Sequence, residues 1–398
     1  MTGWIVAGLF VLTVATPLAG RGTEESRTFS ILDFGAVEGT KVTEAIDAAL
    51  AACERSGGGA VLVPKGTWLT GAVRLRSNCE LRLADYATLE FSDDPTDYPD
   101  VMTTWEGVEQ RRISPLILAA NVTNVSITGA GVLSARLQGW SRRYQRKESR
   151  PHFIQFNRCR DVRLKDFRIC GSPAWMIHLY QSSGCRLEGL DCCAVGRNND
   201  GVDVEMSRDV VIENCRFDQG DDGIALKSGK DAEGRRIGIP TENVTVRSCR
   251  FGHCHGMLSI GSELSGGIRN VKFSNCRVEF CGAMVRIKTT STRGGFVEDV
   301  VVRNCRGKKM HRIFDIMADY ANNPGDPSQG VFHTPIRSVL IDGIQAEECE
   351  FAYRLHCDKD CPPTDVVVRN VRIGKRQHEA DEIFDFPDVK NLEGVIVK

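Results

Sequence analysis

The sequence predicts an all-β fold: a right-handed, single-stranded parallel β-helix of about ten coils behind a short N-terminal capping helix. Three observations carry this. A strand-like octet recurs: VRLKDFRI from Val162, CRLEGLDC from Cys185, VVIENCRF from Val210, VTVRSCRF from Val244, VKFSNCRV from Val271, VVVRNCRG from Val300, VLIDGIQA from Val339 and VVVRNVRI from Val366. Its sixth position is always apolar and small or medium-sized: Phe167, Leu190, Cys215, Cys249, Cys276, Cys305, Ile344 and Val371. That position reads as a ladder pointing inward. The start-to-start intervals are unequal, at 23, 25, 34, 27, 29, 39 and 27 residues. A coil must return to the same place one strand spacing higher, ~4.8 Å, whereas its loops are free to differ. Leucine-rich and propeller repeats do not fit, because neither an LxxLxL pattern nor a Gly-His…Trp-Asp signature is present.

Taken in order, the chain opens with an uncharged apolar run, residues 4–20, followed by the polar RGTEESRT. This reads as a signal peptide over residues 1–20, cleaved near Ala19 or Gly20, and hence a secreted or periplasmic protein. An uncleaved membrane anchor is the competing reading, since the run is at the short limit for spanning. No second long apolar run follows, so no membrane association is expected of the mature domain, residues 28–398. ILDFGA, from Ile31, is strand-like. Thr43 to Cys53 has helical spacing, with Ala45, Ile46, Ala49 and Leu50 on one face and Thr43 as N-cap. Short β-rich runs follow (VLVP, AVRL, ELRL, ATLEF), so the helix suits a cap over the open end of the stack. Asp93 to Arg112 reads as a loop carrying Trp105 and the pair Arg111 and Arg112. Gly131 to Arg150 is strongly basic.

Composition narrows the function. A formal net charge of -1 gives no reason to expect a nucleic-acid partner. Four of the sixteen cysteines are explained as buried thiols in the inward ladder. Asn214, Asn275, Asn304 and Asn370 precede that ladder and suit corner positions. Cys357 and Cys361 lie in the polar turn HCDKDC; a disulfide would suit an exported protein, and zinc would need ligands beyond His356 that are not evident. Cys192 and Cys193 fit neither account. Glycosylation sequons occur at Asn121, Asn124 and Asn243, all at strand starts where Asn also serves as a turn residue.

Laying the repeats over one another collects a site. Asp200-Gly201, Asp222-Gly223 (with Asp221 just before it) and His255-Gly256 fall at the same place on three consecutive coils. On the next coil Arg286 and Lys288 alternate with Ile287, so both cations point outward. Each piece alone is bland: Asp-Gly is a common turn, and a charged pair on a strand is usually a solvated face. Registration on adjacent coils is what argues for a site, a patch ~15 Å tall. Three carboxylates this close cannot all ionise normally, so one should be raised and stay protonated. That division suits acid–base cleavage of a glycosidic bond. The two cations suit a sugar that carries a carboxylate.

These motifs resemble glycoside hydrolase family 28, the polygalacturonases, and especially the bacterial exo-acting branch. The family's NTD, DD, GHG and RIK correspond to NND (Asn198 to Asp200), Asp221-Asp222, CHG (Cys254 to Gly256) and RIK (Arg286 to Lys288). Similarity extends through GDDGIALKSGKDAEGRRIGIPTEN, RIKTTSTRGGFVEDV, SPAW, SNCELRL and WEGVE, over about residues 28–375. The resemblance implies inverting hydrolysis of an α-linked galacturonide with no cofactor and no metal. By position, Asp221 would be the general acid, and Asp200 and Asp222 would activate water. His255 would support the acid, and Asn198 would position substrate or carboxylates. Arg286 and Lys288 would hold the galacturonate carboxylate, with Tyr320 the nearest candidate for the family's substrate-contacting tyrosine. The acid and base carboxyls should then stand ~6.5–9.5 Å apart. Asn199, Gly223 and Cys254 depart from the commonest family residues without removing a catalytic group.

The expected substrate is therefore a pectic polysaccharide or oligogalacturonide, cut by exo action, and the expected state a monomer. Trp105, Arg111 and the 131–150 segment are candidates to block one end of the cleft. Rhamnogalacturonan or xylogalacturonan would use the same site. A pectate-lyase-like eliminase would need Ca²⁺ and an arginine base, which fits His255 and the two cations less well. A non-catalytic carbohydrate-binding β-helix has no need for a self-repelling carboxylate cluster.

Overall fold

The computed structural model describes residues 1, 27–136, 140 and 150–384, and the backbone of 395–397. The apolar run at 4–20, and with it the expected signal peptide, lies outside the described residues. So does most of the basic segment between Arg136 and Arg150. Among the described residues no helix is long and apolar enough to cross a membrane.

Strand pairs with strand one coil further on, in parallel, along the whole stack. One face is a twelve-stranded sheet from Thr28–Ser30 to Thr364–Arg369. The octets form it, and their alternation sets what faces in. Val210 and Ile212 are buried and pair with Val244 and Val246, which pair with Val271 and Phe273. The sixth-position residues are all buried, Cys249 and Cys276 among them. The fifteen cysteines other than Cys357 are free thiols. The HCDKDC turn is held by Asp358, which accepts from the Asp360 N–H at 3.0 Å and meets His333 Nδ1 at 2.6 Å. Cys192 packs inward between Ile169 and Phe217, and Cys193 stands outward beside Cys170.

The corner asparagines are confirmed: Asn214, Asn275, Asn304 and Asn370 have φ between 54° and 56°. This left-handed turn is tolerated by Asn and Asp better than by other side chains. A second ladder, at the start of the same face, comprises Asn124, Asp161, Asp209, Asn243, Asn270, Asp299 and Asp365, with φ between 52° and 57°. Its amides are used between coils: Asn270 Nδ2 donates to Asn243 Oδ1 at 2.6 Å, and Asn243 Nδ2 to Asp209 Oδ1 at 2.8 Å.

Each coil has three strands rather than the two read from sequence. The turn between the second and third is the Asp-Gly turn. From Arg250 onward the second and third run together as single bent strands, Arg250–Ile260, Arg277–Lys288, Arg306–Met317 and Gln345–His356. The cap is the helix Thr43–Arg55, which buries Ala45, Ile46, Ala49, Leu50 and Cys53 on the end of the stack. Its N-cap is Val42 rather than Thr43, whose Oγ1 instead accepts from the Gly71 N–H at 2.7 Å. Ile31–Phe34 is a 3₁₀ turn, not a strand, because the Ser30 hydroxyl accepts from the Leu32 N–H and starts it. The expected loop at Asp93–Arg112 contains an antiparallel hairpin, Asp100–Trp105 with Val108–Ile113.

Candidate active site

The Asp-Gly turns are stacked by their own backbone. The N–H groups of Met176, Gly201 and Gly223 donate to the carbonyls of Asp200, Asp222 and Gly256 at 2.9, 2.9 and 2.8 Å. Asp200, Asp222 and Gly256 therefore hold equivalent places on three coils. The sequence spacing sets His255 level with Asp222, and the structure moves that alignment by one residue. The reason is space. A Cβ at Gly256 would lie 2.1 Å from Ser259 Oγ, 2.9 Å from Arg286 Cδ and 3.0 Å from Asp222 Oδ1. Beneath the turns, Phe217 and Phe251 stack at 5.3 Å, and a Cβ at Gly223 would lie 2.6 Å from the Phe251 ring. Glycine after the aspartate is thus what lets the carboxylates perch over an aromatic core.

The shift places His255 beside Asp221. The His255 N–H donates to the Asp221 carbonyl at 2.8 Å, and His255 Nδ1 lies 3.1 Å from Asp221 Oδ1. Asp221 Oδ1 also accepts from the Asp222 N–H at 3.0 Å, and Oδ2 from the Asn198 N–H at 3.2 Å. Asn198 reaches the acid through its backbone, because its side-chain oxygen accepts from Arg150 at 2.7 Å. Asn199 is buried and donates to the Ser172 carbonyl at 2.6 Å, which holds the turn leading to Trp175.

One oxygen from each of Asp200, Asp221 and Asp222 lies within 4.8 Å of the others. This is closer than the ~6.5–9.5 Å expected between acid and base carboxyls. Two of the three are in register on adjacent coils and the third is their sequence neighbour, so the stack spacing sets the limit. The environments differ sharply. Burial, then the charges of Asp203 and Asp221, push the Asp200 carboxyl well above its usual range. Burial alone would do the same to Asp222, but the charges of Lys288 and Arg286 outweigh it and hold Asp222 well below. The proton expected in the cluster is thus drawn to Asp200.

Lys288 Nζ donates to Asp222 Oδ2 at 2.7 Å. Arg286 stands between two acids, 3.7 Å from Asp222 Oδ1 and 3.7 Å from Asp315 Oδ2. Tyr320 packs near them, its ring 5.4 Å from Lys288 Nζ. The structure therefore brings together every site residue expected from sequence. The three aspartates also form a group that could hold a cation, and Lys288 already neutralises part of it.

Sequence reasoning missed the outward column on the third face. It runs Gln155, His178, Asp203, Ala225, Ser259, Arg286, Asp315, Arg354, one residue per coil. Arg354 grips Asp315 with two bonds, at 2.8 and 2.7 Å. Lys227, one step along, is buried 3.0 Å from Glu263 and 3.7 Å from Asp203. Polar residues at alternate positions of VDVE and IHLY were the available signal.

On the N-terminal side this column is covered. Gln155 and His178 are buried, as are Asp203, Ala225 and Ser259 further along; what sets the N-terminal side apart is the hairpin that lies on it. Thr103 of the hairpin donates to Gln155 at 2.6 Å, and Tyr180 donates to Glu109 at 2.8 Å. Trp105, His152 and Trp175 stack at 5.0 and 4.9 Å, with Arg112 over Trp105 at 4.1 Å. Arg111 takes no part. It is exposed and reaches back to the Asp100 carbonyl.

Residues 53–390 match the family model described as Glycosyl hydrolases family 28. An exopolygalacturonase structure from Thermotoga maritima is similar at a TM-score of 0.80 and 32% identity, covering 88% of both chains. A probable polygalacturonase of Vitis vinifera is 29% identical over 362 residues, 86% of this chain and 74% of that protein. An exo-poly-alpha-D-galacturonosidase of Dickeya chrysanthemi is 26% identical over 361 residues, 76% of this chain and 59% of that protein.

Proposed function

The chain belongs to the glycosyl hydrolases of family 28 and is a glycoside hydrolase of the polygalacturonase type, and on that premise we propose that it removes galacturonate units from one end of a galacturonan chain, with inversion. The observation that carries exo action is the cover over Gln155 and His178. His178 lies one coil from the level of Asp200 and two from that of Asp222, so open cleft on that side extends only ~5–10 Å. That leaves room for about one sugar ring before the Trp105–His152–Trp175 stack.

The roles proposed are those the family resemblance implies, and the surroundings of each residue are compatible with them. Asp221 is partly exposed, with a side chain 23% accessible, and is steadied by His255 and the Asn198 N–H, which suits the acid that protonates the leaving oxygen. Asp200 Oδ1 and Asp222 Oδ1 are buried and have no hydrogen-bond partner among the described residues. Both border a place for one water: Asp222, held ionised, suits the base that takes its proton, and Asp200, to which the cluster's proton is drawn, suits a group that orients it. Arg286 and Lys288, each already half-committed to an acid, offer their remaining donors to a substrate carboxylate, with Tyr320 alongside. No metal is assigned a role. The expected setting is outside the cell, with the chain acting as a monomer.

Product analysis in EDTA tests this. Wild type should release only monomeric galacturonate from a saturated oligogalacturonate at the earliest times, and Asp221→Asn should release none. A spread of early oligomers would make the enzyme endo-acting. Cleavage of a rhamnogalacturonan oligomer alone would change the substrate.

A further inference from the structure

A column of arginines runs along a different corner of the stack, between the first and second faces. Arg216, Arg250, Arg277, Arg306, Gln345 and Arg372 are register partners on successive coils. Arg216 is paired with Asp191 at 3.2 Å. The guanidinium groups of Arg250, Arg277, Arg306 and Arg372 are exposed and make no ion pair or hydrogen bond among the described residues. Several other outward arginines of this stack are neutralised from a neighbouring coil: Arg269 by Glu242 at 2.7 Å, Arg369 by Asp342 at 3.1 Å and Arg354 by Asp315 at 2.7 Å.

Like charges directly opposite one another destabilise a sheet. Unpaired arginines kept in register are therefore an arrangement that asks for an anion. Three of them, with Asn275, Asn304, Asn370 and Gln345, line a groove of about 450 Å³ that has no acidic side chain in its wall, while Glu279 and Glu347 stand only on their other side. The spacing narrows the anion. Four guanidinium groups over five coils, with Gln345 in the fourth place and ~4.8 Å per coil over ~19 Å, ask for a linear ligand that carries negative charge at repeated steps. An extended 1,4-linked uronate chain has that form, one carboxylate per ring, and a planar guanidinium recognises a carboxylate by two parallel hydrogen bonds.

We propose that this column is a second, non-catalytic binding strip for a polyuronate chain, one face away from the Asp-Gly turns. It rests on the reading of the substrate as galacturonan. The strip would hold the polymer while an end is fed to the cleft, which matters most for an enzyme that attacks only ends.

The test compares the full chain with Arg277→Gln/Arg306→Gln/Arg372→Gln. Both are placed on an Asp221→Asn background and run in native gels containing polygalacturonate, with saturating trigalacturonate to occupy the cleft. The Asp221→Asn parent should stay retarded with trimer present, and the triple variant should bind about tenfold more weakly or worse. On the active background the triple variant should hydrolyse trigalacturonate with unchanged kcat/KM and show a raised KM on the polymer. Equal retardation overturns the proposal. So does an equal loss from Arg269→Gln/Arg337→Gln/Arg369→Gln, which would assign the effect to net charge. Stronger retardation by nucleic acid or anionic vesicles than by polygalacturonate overturns it too. A triple variant that melts below wild type would make the column structural and sink the idea. Strip-dependent retardation in a protein that cleaves no galacturonan would leave this proposal standing and remove the functional reading instead.

Discussion

His255 sits one coil beyond Asp221 and holds it twice, by a backbone N–H to the Asp221 carbonyl at 2.8 Å and by Nδ1 at 3.1 Å from Oδ1. The second contact raises the imidazole above its usual range, the hydrogen bond to Asp221 being the main cause. A raised imidazole keeps its charged partner contact at low pH and loses it as pH rises through the raised value. The pair should thus set the alkaline limb of the kcat/KM–pH profile. His255→Gln should lower kcat about a hundredfold and change that limb. An unaltered limb would exclude this role. Stability should hardly change, because the His255 side chain is 63% exposed and screened.

Asp221→Asn and Asp222→Asn should both reduce kcat by about a thousandfold or more. They should differ in stability. Removing the Asp222 charge leaves Lys288 buried without its partner, a loss of ~3–5 kcal/mol for a broken buried pair. Asp221→Asn, at a partly exposed position, should melt near wild type. Similar melting of the two variants would refute the buried-pair account.

Asp200→Asn should inactivate the enzyme and yet stabilise it at neutral pH. A carboxyl raised on folding binds its proton more tightly in the folded state. It therefore costs stability once pH exceeds the unfolded value of ~3.9, and the cost fades as pH falls. Replacing it by the amide should raise Tm by ~2 °C or more at pH 7 and by less in acid. A lower Tm at both pH values would mean that the buried acid is stabilising after all.

Proton NMR of the first turnover decides the stereochemistry. Inversion at an α-linked galacturonide gives the β anomer first. The short separation of the carboxyl oxygens makes this a sharp check, since an α product would assign one aspartate as a nucleophile.

Shortening the hairpin Asp100–Ile113 to a tight turn should uncover Gln155 and His178. Early products should then include oligomers, measured by chromatography over the first percent of conversion. Monomer alone from the shortened variant would place the block elsewhere.

Much of this was legible from local pattern. The inward ladder at Cys215, Cys249, Cys276 and Cys305 needs only a period-two strand and a repeat. The clustering of Asp200, Asp221, Asp222, His255, Arg286 and Lys288 needs only that the coils register. What escaped depends on distance in the chain. The one-residue shift at His255 goes with the crowding of Gly256 by Ser259 on its own coil and by Arg286 and Asp222 on the coils to either side. The cover over His178 depends on a hairpin some seventy residues earlier, which no periodicity in IHLY announces. The hairpin itself was hidden, because Asp100–Ile113 does not alternate apolar and polar residues cleanly.

The outward column through Gln155, His178, Asp203, Ser259, Arg286 and Asp315 makes the cleft behave like a ruler with fixed divisions. Each coil contributes one mark, and the marks cannot slide, because every coil is pinned by its neighbours. A change in loop length redraws the margin beside a mark without moving it. Only gaining or losing a whole coil would change how many marks separate the blocked end from Asp222. Relatives that bite further from a chain end should therefore differ by lid or by entire turn, and never by a fraction of one.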